Sequence, residues 1–158
     1  MIRYNEPYIS GKEENYIKDV IAKGRIAGGG EYTKRCESVI ENLISSKKAL
    51  LTHSCTAALE MAAILMKVKP GDEIIMPSYT FVSTANAFVL RGGIPVFVDI
   101  NKDNFCLDED KVEESITSKT VGIVPVHYGG LSCDMDKICN ISKNYNLFIV
   151  EDAAQSLG

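Results

Sequence analysis

Pro70-Gly-Asp-Glu-Ile-Ile-Met-Pro77-Ser-Tyr-Thr80-Phe-Val-Ser-Thr-Ala-Asn-Ala-Phe-Val-Leu90-Arg-Gly-Gly-Ile-Pro95-Val-Phe-Val98 reads as strand, helix, strand. Ile74-Ile-Met76 is an apolar run bounded by Pro70-Gly71 and by Pro77, and Pro95-Val-Phe-Val98 is a second. Between them Thr80 to Leu90 has the spacing of a helix that stops at Gly92-Gly93. Strands that are apolar throughout are buried on both faces, and a helix between two of them is the connection that parallel strands require.

The alternation continues in both directions. Upstream, Ala49-Leu50-Leu51 is expected to be a short strand, and Thr56 to Lys67, rich in Ala, Leu and Met, a helix. Before it, Ser10-Gly-Lys-Glu13 has the spacing of a capping box ahead of an apolar stripe of Tyr16, Ile17, Val20 and Ile21, which Gly24 would end. A loop with Gly28-Gly29-Gly30 follows, and then Cys36, Val39, Ile40, Leu43 and Ile44 mark an amphipathic helix. Downstream, Asp108 is expected to cap a helix carrying Val112 and Ile116. Val121 to Val126 reads as a strand, Asp134 to Ser142 as a helix and Leu147 to Val150 as a last strand. The expected fold class is α/β, a three-layer arrangement about a mainly parallel sheet. There is no internal repeat, linker or low-complexity segment.

Composition narrows the function classes. The 158 residues carry 17 Lys+Arg against 21 Asp+Glu, a net charge of −4, with 46% apolar and 24% charged residues. A nucleic-acid partner would call for a basic stripe that this balance does not provide. The strongly apolar stretch Ala57 to Val68 is interrupted by Glu60 and Lys67 and is too short to cross a bilayer. The start, Met1-Ile-Arg-Tyr-Asn-Glu6, lacks a basic-then-apolar signal pattern, so a cytoplasmic protein is expected. Five cysteines (Cys36, Cys55, Cys106, Cys133 and Cys139) form no C-x-x-C and are expected to be reduced and mostly buried. Two histidines, His53 and His127, are too few to suggest a metal site.

In parallel sheets ligands gather beyond the carboxyl ends of the strands. The segments there are Thr52-His-Ser-Cys55-Thr56, Pro77-Ser-Tyr-Thr-Phe81, Asp99, His127-Tyr-Gly-Gly130 and Glu151-Asp152. Ser54-Cys55-Thr56 opens a helix, where free N–H groups and the helix dipole favour an anion such as a phosphate; an ordinary helix cap needs the same residue types. Phe81 is either a core aromatic or a flat surface for a planar ring. Asp152 could pair with a ribose, a metal or a protonated ring nitrogen, or cap a turn. Neither G-x-G-x-x-G after a strand nor G-x-x-x-x-G-K-[ST] occurs, which counts against a nucleotide-binding domain of those kinds.

Four ordered motifs then bring a family into view: Leu51-Thr-His-Ser-Cys-Thr-Ala-Ala-Leu-Glu-Met-Ala62, Pro70 through Ala87, Val124-Pro-Val-His-Tyr-Gly-Gly130, and Glu151-Asp-Ala-Ala-Gln155. With them the whole chain resembles the N-terminal part of the pyridoxal-phosphate-dependent sugar aminotransferases of the DegT type. Within the family the likeness is nearest to the transaminases that make dTDP-4-amino-4,6-dideoxygalactose for surface glycans. The resemblance implies the aspartate-aminotransferase fold (fold type I), a homodimer, glutamate as amino donor and a nucleotide-linked keto-sugar as acceptor. It implies that Cys55 and Thr56 hold the cofactor phosphate and that Phe81 stacks on the pyridine ring. It also implies that Asp152 pairs with the ring nitrogen and that Gln155 bonds the phenolic oxygen. Many relatives carry Gly where Cys55 stands; Cys55 is not read as a nucleophile, and His127 has no assigned role.

The family's Schiff-base lysine lies beyond the segment ending at Gln155, so the resemblance places it beyond Gly158 and leaves no catalytic residue in the chain. Lys111, Lys119, Lys137 and Lys143 read as solvated. Residues 1–158 are therefore expected to be the N-terminal portion of the cofactor-binding large domain, incomplete at its C-terminus and inactive alone. The alternative is a truncated, non-catalytic relative that pairs with an intact subunit.

Overall fold

A computed structural model describes residues 6–157 of the chain. The chain divides into two units, Met1–Leu51 and Thr52–Gly158.

The first unit holds helices α1 (Glu13–Ala22) and α2 (Glu31–Leu43). Half of the expected capping box forms: the Glu13 carboxylate accepts from both the N–H and the hydroxyl of Ser10, each at 2.8 Å. Glu13 is held at a pKa of about 2, first by its own backbone N–H and then by Ser10. The two helices meet through Tyr16 and Tyr32, edge to face with centroids 5.3 Å apart, and through the Tyr32 hydroxyl, which donates to Asp19 at 2.9 Å. Neither helix buries a side chain within this unit. The expected strand at Ala49-Leu50-Leu51 does not form. A strand needs a neighbour to complete its ladder, and here the N–H groups of Ala49 and Leu51 go to the carboxylates of Glu41 and Glu37 instead.

The second unit is a four-stranded parallel sheet with helices on both faces. Its elements are α3 (Cys55–Leu65), β1 (Glu73–Pro77), α4 (Val82–Val89), β2 (Ile94–Val98), β3 (Thr120–Ile123), α5 (Met135–Tyr145) and β4 (Phe148–Ile149). The strand order is β2-β1-β3-β4, all parallel. Successive strand residues face opposite sides. Ile74 and Met76 pack with Leu59 and Ala63 of α3 and with Ala87 and Phe88 of α4. Ile75 and Ile123 pack on the other face with Ile138 and Ile141 of α5. Gly122 lets β4 approach: a Cβ there would meet the Phe148 ring at 2.1 Å.

The expected helix after Asp108 is two short 3-10 turns, Glu109–Lys111 and Glu113–Ser115. An α-helix would set Glu109 over Glu113 and Asp110 over Glu114, and like charges four apart are unfavourable. The cysteines depart from the expectation that most are buried: Cys106 and Cys133 are, Cys139 is half-buried, and Cys36 and Cys55 are exposed; all five thiols are free. Among the described residues no helix is long and apolar enough to cross a membrane.

Candidate functional site

After β1 the chain turns to β2 on one side, and β3 lies on the other. Strand order thus reverses between β1 and β3, and the crevice beyond the carboxyl ends of such a pair is where open α/β sheets bind ligands. A cavity of about 220 Å3 lies there, lined by Thr80 and Phe81 after β1, by Val126, His127 and Tyr128 after β3, and by Asp152, Ala154 and Gln155 after β4. Buried polar side chains cluster around it. Of the four among the described residues (Thr84, Thr120, His127 and Asp152), three stand at this end of the sheet.

Asp152 is the centre of the arrangement. Its backbone is locked, with N–H to the Pro125 carbonyl at 2.9 Å and C=O accepting from His127 N–H at 3.1 Å. Its side chain is 5% exposed. Oδ2 accepts from Thr84 Oγ1 at 2.7 Å, while Oδ1 accepts from Ala154 N–H at 3.2 Å and from Cys55 Sγ at 3.6 Å. A carboxylate has about four acceptor positions, so one is left for a donor arriving in the cavity.

Phe81 is 72% exposed and is no part of the core formed by the described residues. It is the N-cap of α4 and lines the cavity together with Asp152 and Gln155. The Gln155 side-chain oxygen accepts from Gly129 N–H at 2.6 Å, which ties the segment after β4 to the turn after β3.

Ser54 caps α3, its hydroxyl accepting from Ala57 N–H at 3.1 Å. The N–H groups of Cys55 and Thr56 have no acceptor among the described residues, so this helix start is available to an anion. The Thr56 hydroxyl donates to Ser83 of α4 at 2.9 Å. Neither Cys55 nor Thr56 lines the cavity, but Cys55 reaches it through Asp152. Partial burial, then the Asp152 charge and the hydrogen bond to it, raise the Cys55 thiol above its ordinary value. That environment suppresses the thiolate and agrees with a non-nucleophilic Cys55.

His127 acquires a structural part. Its Nδ1 accepts from Cys133 N–H at 3.2 Å, so Nε2 carries the proton and donates to Glu151 at 2.8 Å. No lysine lines the cavity. Lys111 pairs with Asp99 and Asp108, and Lys137 with Asp110.

Sequence reasoning passed over Thr84 and Ser83, and placed Thr80 in a strand-end segment without giving it a role. Thr84 had a signal: it shares the i, i+3, i+4 stripe with Ala87 and Phe88, and a hydroxyl in a buried apolar stripe demands a partner. Thr80 had its place in the segment after β1, and Ser83 had no signal beyond proximity.

The pattern of the DegT/DnrJ/EryC1/StrS aminotransferase family matches residues 7–158. The chain is 38% identical over 144 residues to the 3-oxo-glucose-6-phosphate:glutamate aminotransferase of Bacillus subtilis, covering 91% of this chain and 32% of that protein. It is 36% identical over 152 residues to the GDP-perosamine synthase of Caulobacter vibrioides, covering 96% of this chain and 41% of that one. The crystal structure of NtdA from Bacillus subtilis with bound cofactor PMP superposes with a TM-score of 0.90 at 34% identity, covering 100% of this chain and 38% of that one. The chain thus spans about two fifths or less of these proteins' lengths. With the family pattern running almost from end to end and the fold superposing throughout, the chain belongs to the DegT/DnrJ/EryC1/StrS aminotransferase family.

Proposed function

We propose that these residues form the front of the cofactor-binding large domain of a pyridoxal-phosphate-dependent enzyme. That enzyme moves an amino group from glutamate to a nucleotide-linked keto-sugar, acting as a homodimer in the cytoplasm. The observation that carries the reading is Asp152: a buried carboxylate, fixed at the end of a parallel sheet, with one acceptor position open beside the exposed ring of Phe81. A carboxylate acceptor beside an aromatic face fits a flat cationic heterocycle. The helix start at Cys55 and Thr56 fits its phosphate.

Bound pyridoxal phosphate supplies an electron sink for the bond-breaking at the amino carbon. The chain's own residues orient it. Cys55 and Thr56 offer N–H groups to the phosphate, Phe81 holds the ring plane, and Asp152 keeps the ring nitrogen protonated. Gln155, with its oxygen committed to Gly129, has its amide NH2 left to donate to the phenolic oxygen.

In the full-length protein, Asp152→Asn is expected to retain the cofactor but slow the glutamate half-reaction by about two orders of magnitude, the scale at which one electrostatic stabiliser acts. Stopped-flow spectroscopy reads the rate, and near-unaltered turnover overturns the assignment. The similar proteins include one named for a keto-sugar phosphate and one for a GDP-linked product. Acceptors of both kinds should therefore be compared, and preference for the unlinked phosphate would correct the substrate class.

A further inference from the structure

The hydroxyls behind Asp152 form a directed chain. The single hydroxyl proton of Thr84 is committed to Asp152 Oδ2 at 2.7 Å. Thr84 must therefore accept at the 2.8 Å contact with Thr80, and the Thr80 hydroxyl donates. Thr80 lines the cavity just before the N-cap of α4, whereas Thr84 has no exposed surface. The two carboxylate oxygens are held unequally. Oδ1 has two long contacts, from Ala154 and Cys55, while Oδ2 has Thr84 alone among the described residues, and that bond is the shortest of the three. With the backbone of Asp152 already fixed, the twist of its carboxyl group depends on that hydroxyl.

We propose that Thr84, backed by Thr80, is the positioning residue for Asp152, setting the plane of the carboxylate so that its free acceptor position faces the cavity. This rests on the cofactor reading above and adds to it a residue buried beneath the site. A carboxylate free to turn spends less time aimed at the cavity, and the expected tenfold loss of affinity corresponds to about 1.4 kcal/mol.

The test is a double-mutant cycle in the full-length protein, read by the dissociation constant for pyridoxal phosphate. Thr84→Val keeps the shape and removes the donor, and is expected to weaken binding about tenfold. Thr84→Ser restores the donor and should return binding to within about threefold. In an Asp152→Ala background, Thr84→Val should change affinity by less than about twofold, because the group it positions is gone. Thr80→Val, at a half-buried position, should weaken binding in the same direction by a smaller factor, and it carries the test if Thr84→Val does not fold. Equal losses from Thr84→Val with and without Asp152, or no loss from either threonine variant, would overturn the proposal. Unchanged affinity in Asp152→Ala itself would instead count against the cofactor reading, so the two failures are distinguishable.

Discussion

At the scale of single residues, Phe81 and Cys55 give the sharpest tests. Phe81 is too exposed to hold up the core, so its removal should act on the ligand and leave the fold intact. Stacking contributes on the order of 1 kcal/mol beyond burial, so Phe81→Ala in the full-length protein should weaken pyridoxal phosphate binding by about five- to tenfold. Phe81→Tyr should be mild and thermal stability nearly unchanged; a cooperative loss of structure in Phe81→Ala would refute the assignment. Cys55 is a thiol whose ionisation is opposed by partial burial and by Asp152. Its alkylation by iodoacetamide should therefore stay slow at pH 8 and accelerate only as the pH rises past the ordinary thiol range. Asp152→Asn removes the negative charge and the acceptor, both of which favour the protonated thiol, so it should speed modification of Cys55 at pH 8. Peptide mapping by mass spectrometry measures both, and equal rates in the two proteins would show that the carboxylate does not govern the thiol.

At the scale of elements, the pairing of β3 with β4 is the connection that carries Asp152 to the site. It depends on Gly122, because Phe148 lies across the glycine with no room for a methyl group. Glycine inside a strand marks such close approaches. Gly122→Ala is expected to lower stability by about 1–3 kcal/mol, the usual range for overpacking, and Phe148→Leu in the same chain should recover part of it. Thermal unfolding of the single and double variants decides this; full tolerance of Gly122→Ala would mean that the ring moves freely. The irregular stretch after β2 follows the same logic of local conflict. Asp108 accepts from Asp110 N–H and starts a helical turn, but the acidic residues that follow repel one another at helical spacing, and the chain settles into two separated 3-10 turns.

At the scale of the whole molecule, no lysine is among the described residues that line the cavity after β1, β3 and β4. Lys111 and Lys137 are turned into ion pairs with aspartates away from it. The 158-residue chain by itself is therefore expected to transfer no amino group from glutamate. Borohydride reduction with pyridoxal phosphate should label no single lysine preferentially, as read by peptide mapping. One lysine labelled specifically and stoichiometrically would overturn this view of the site. The outer strands add a second expectation. Ile94 and Phe97 on β2 are exposed, and among the described residues β2 pairs with β1 alone. Edges of this kind promote association, so Phe97→Glu should shift the chain toward monomer in sedimentation.

The sequence by itself determined the class of fold and the order of its parts. Period-3.6 stripes and apolar runs are local properties, which is why β1, α4 and β2 lie close to where the spacing puts them. It also determined the candidates at the strand ends, since a parallel sheet sends every carboxyl end to one side. What tertiary structure alone decided was which of those candidates meet. Cys55 and Asp152 are 97 residues apart in the chain and Thr84 and Asp152 are 68 apart, and only the order β2-β1-β3-β4 brings them together. It decided too that Ala49-Leu50-Leu51 is no strand, because a ladder belongs to two segments and the acceptors for Ala49 and Leu51 turned out to be glutamate side chains. Local pattern states what a segment can become; its hydrogen-bond partners, set by distant parts of the chain, decide what it is.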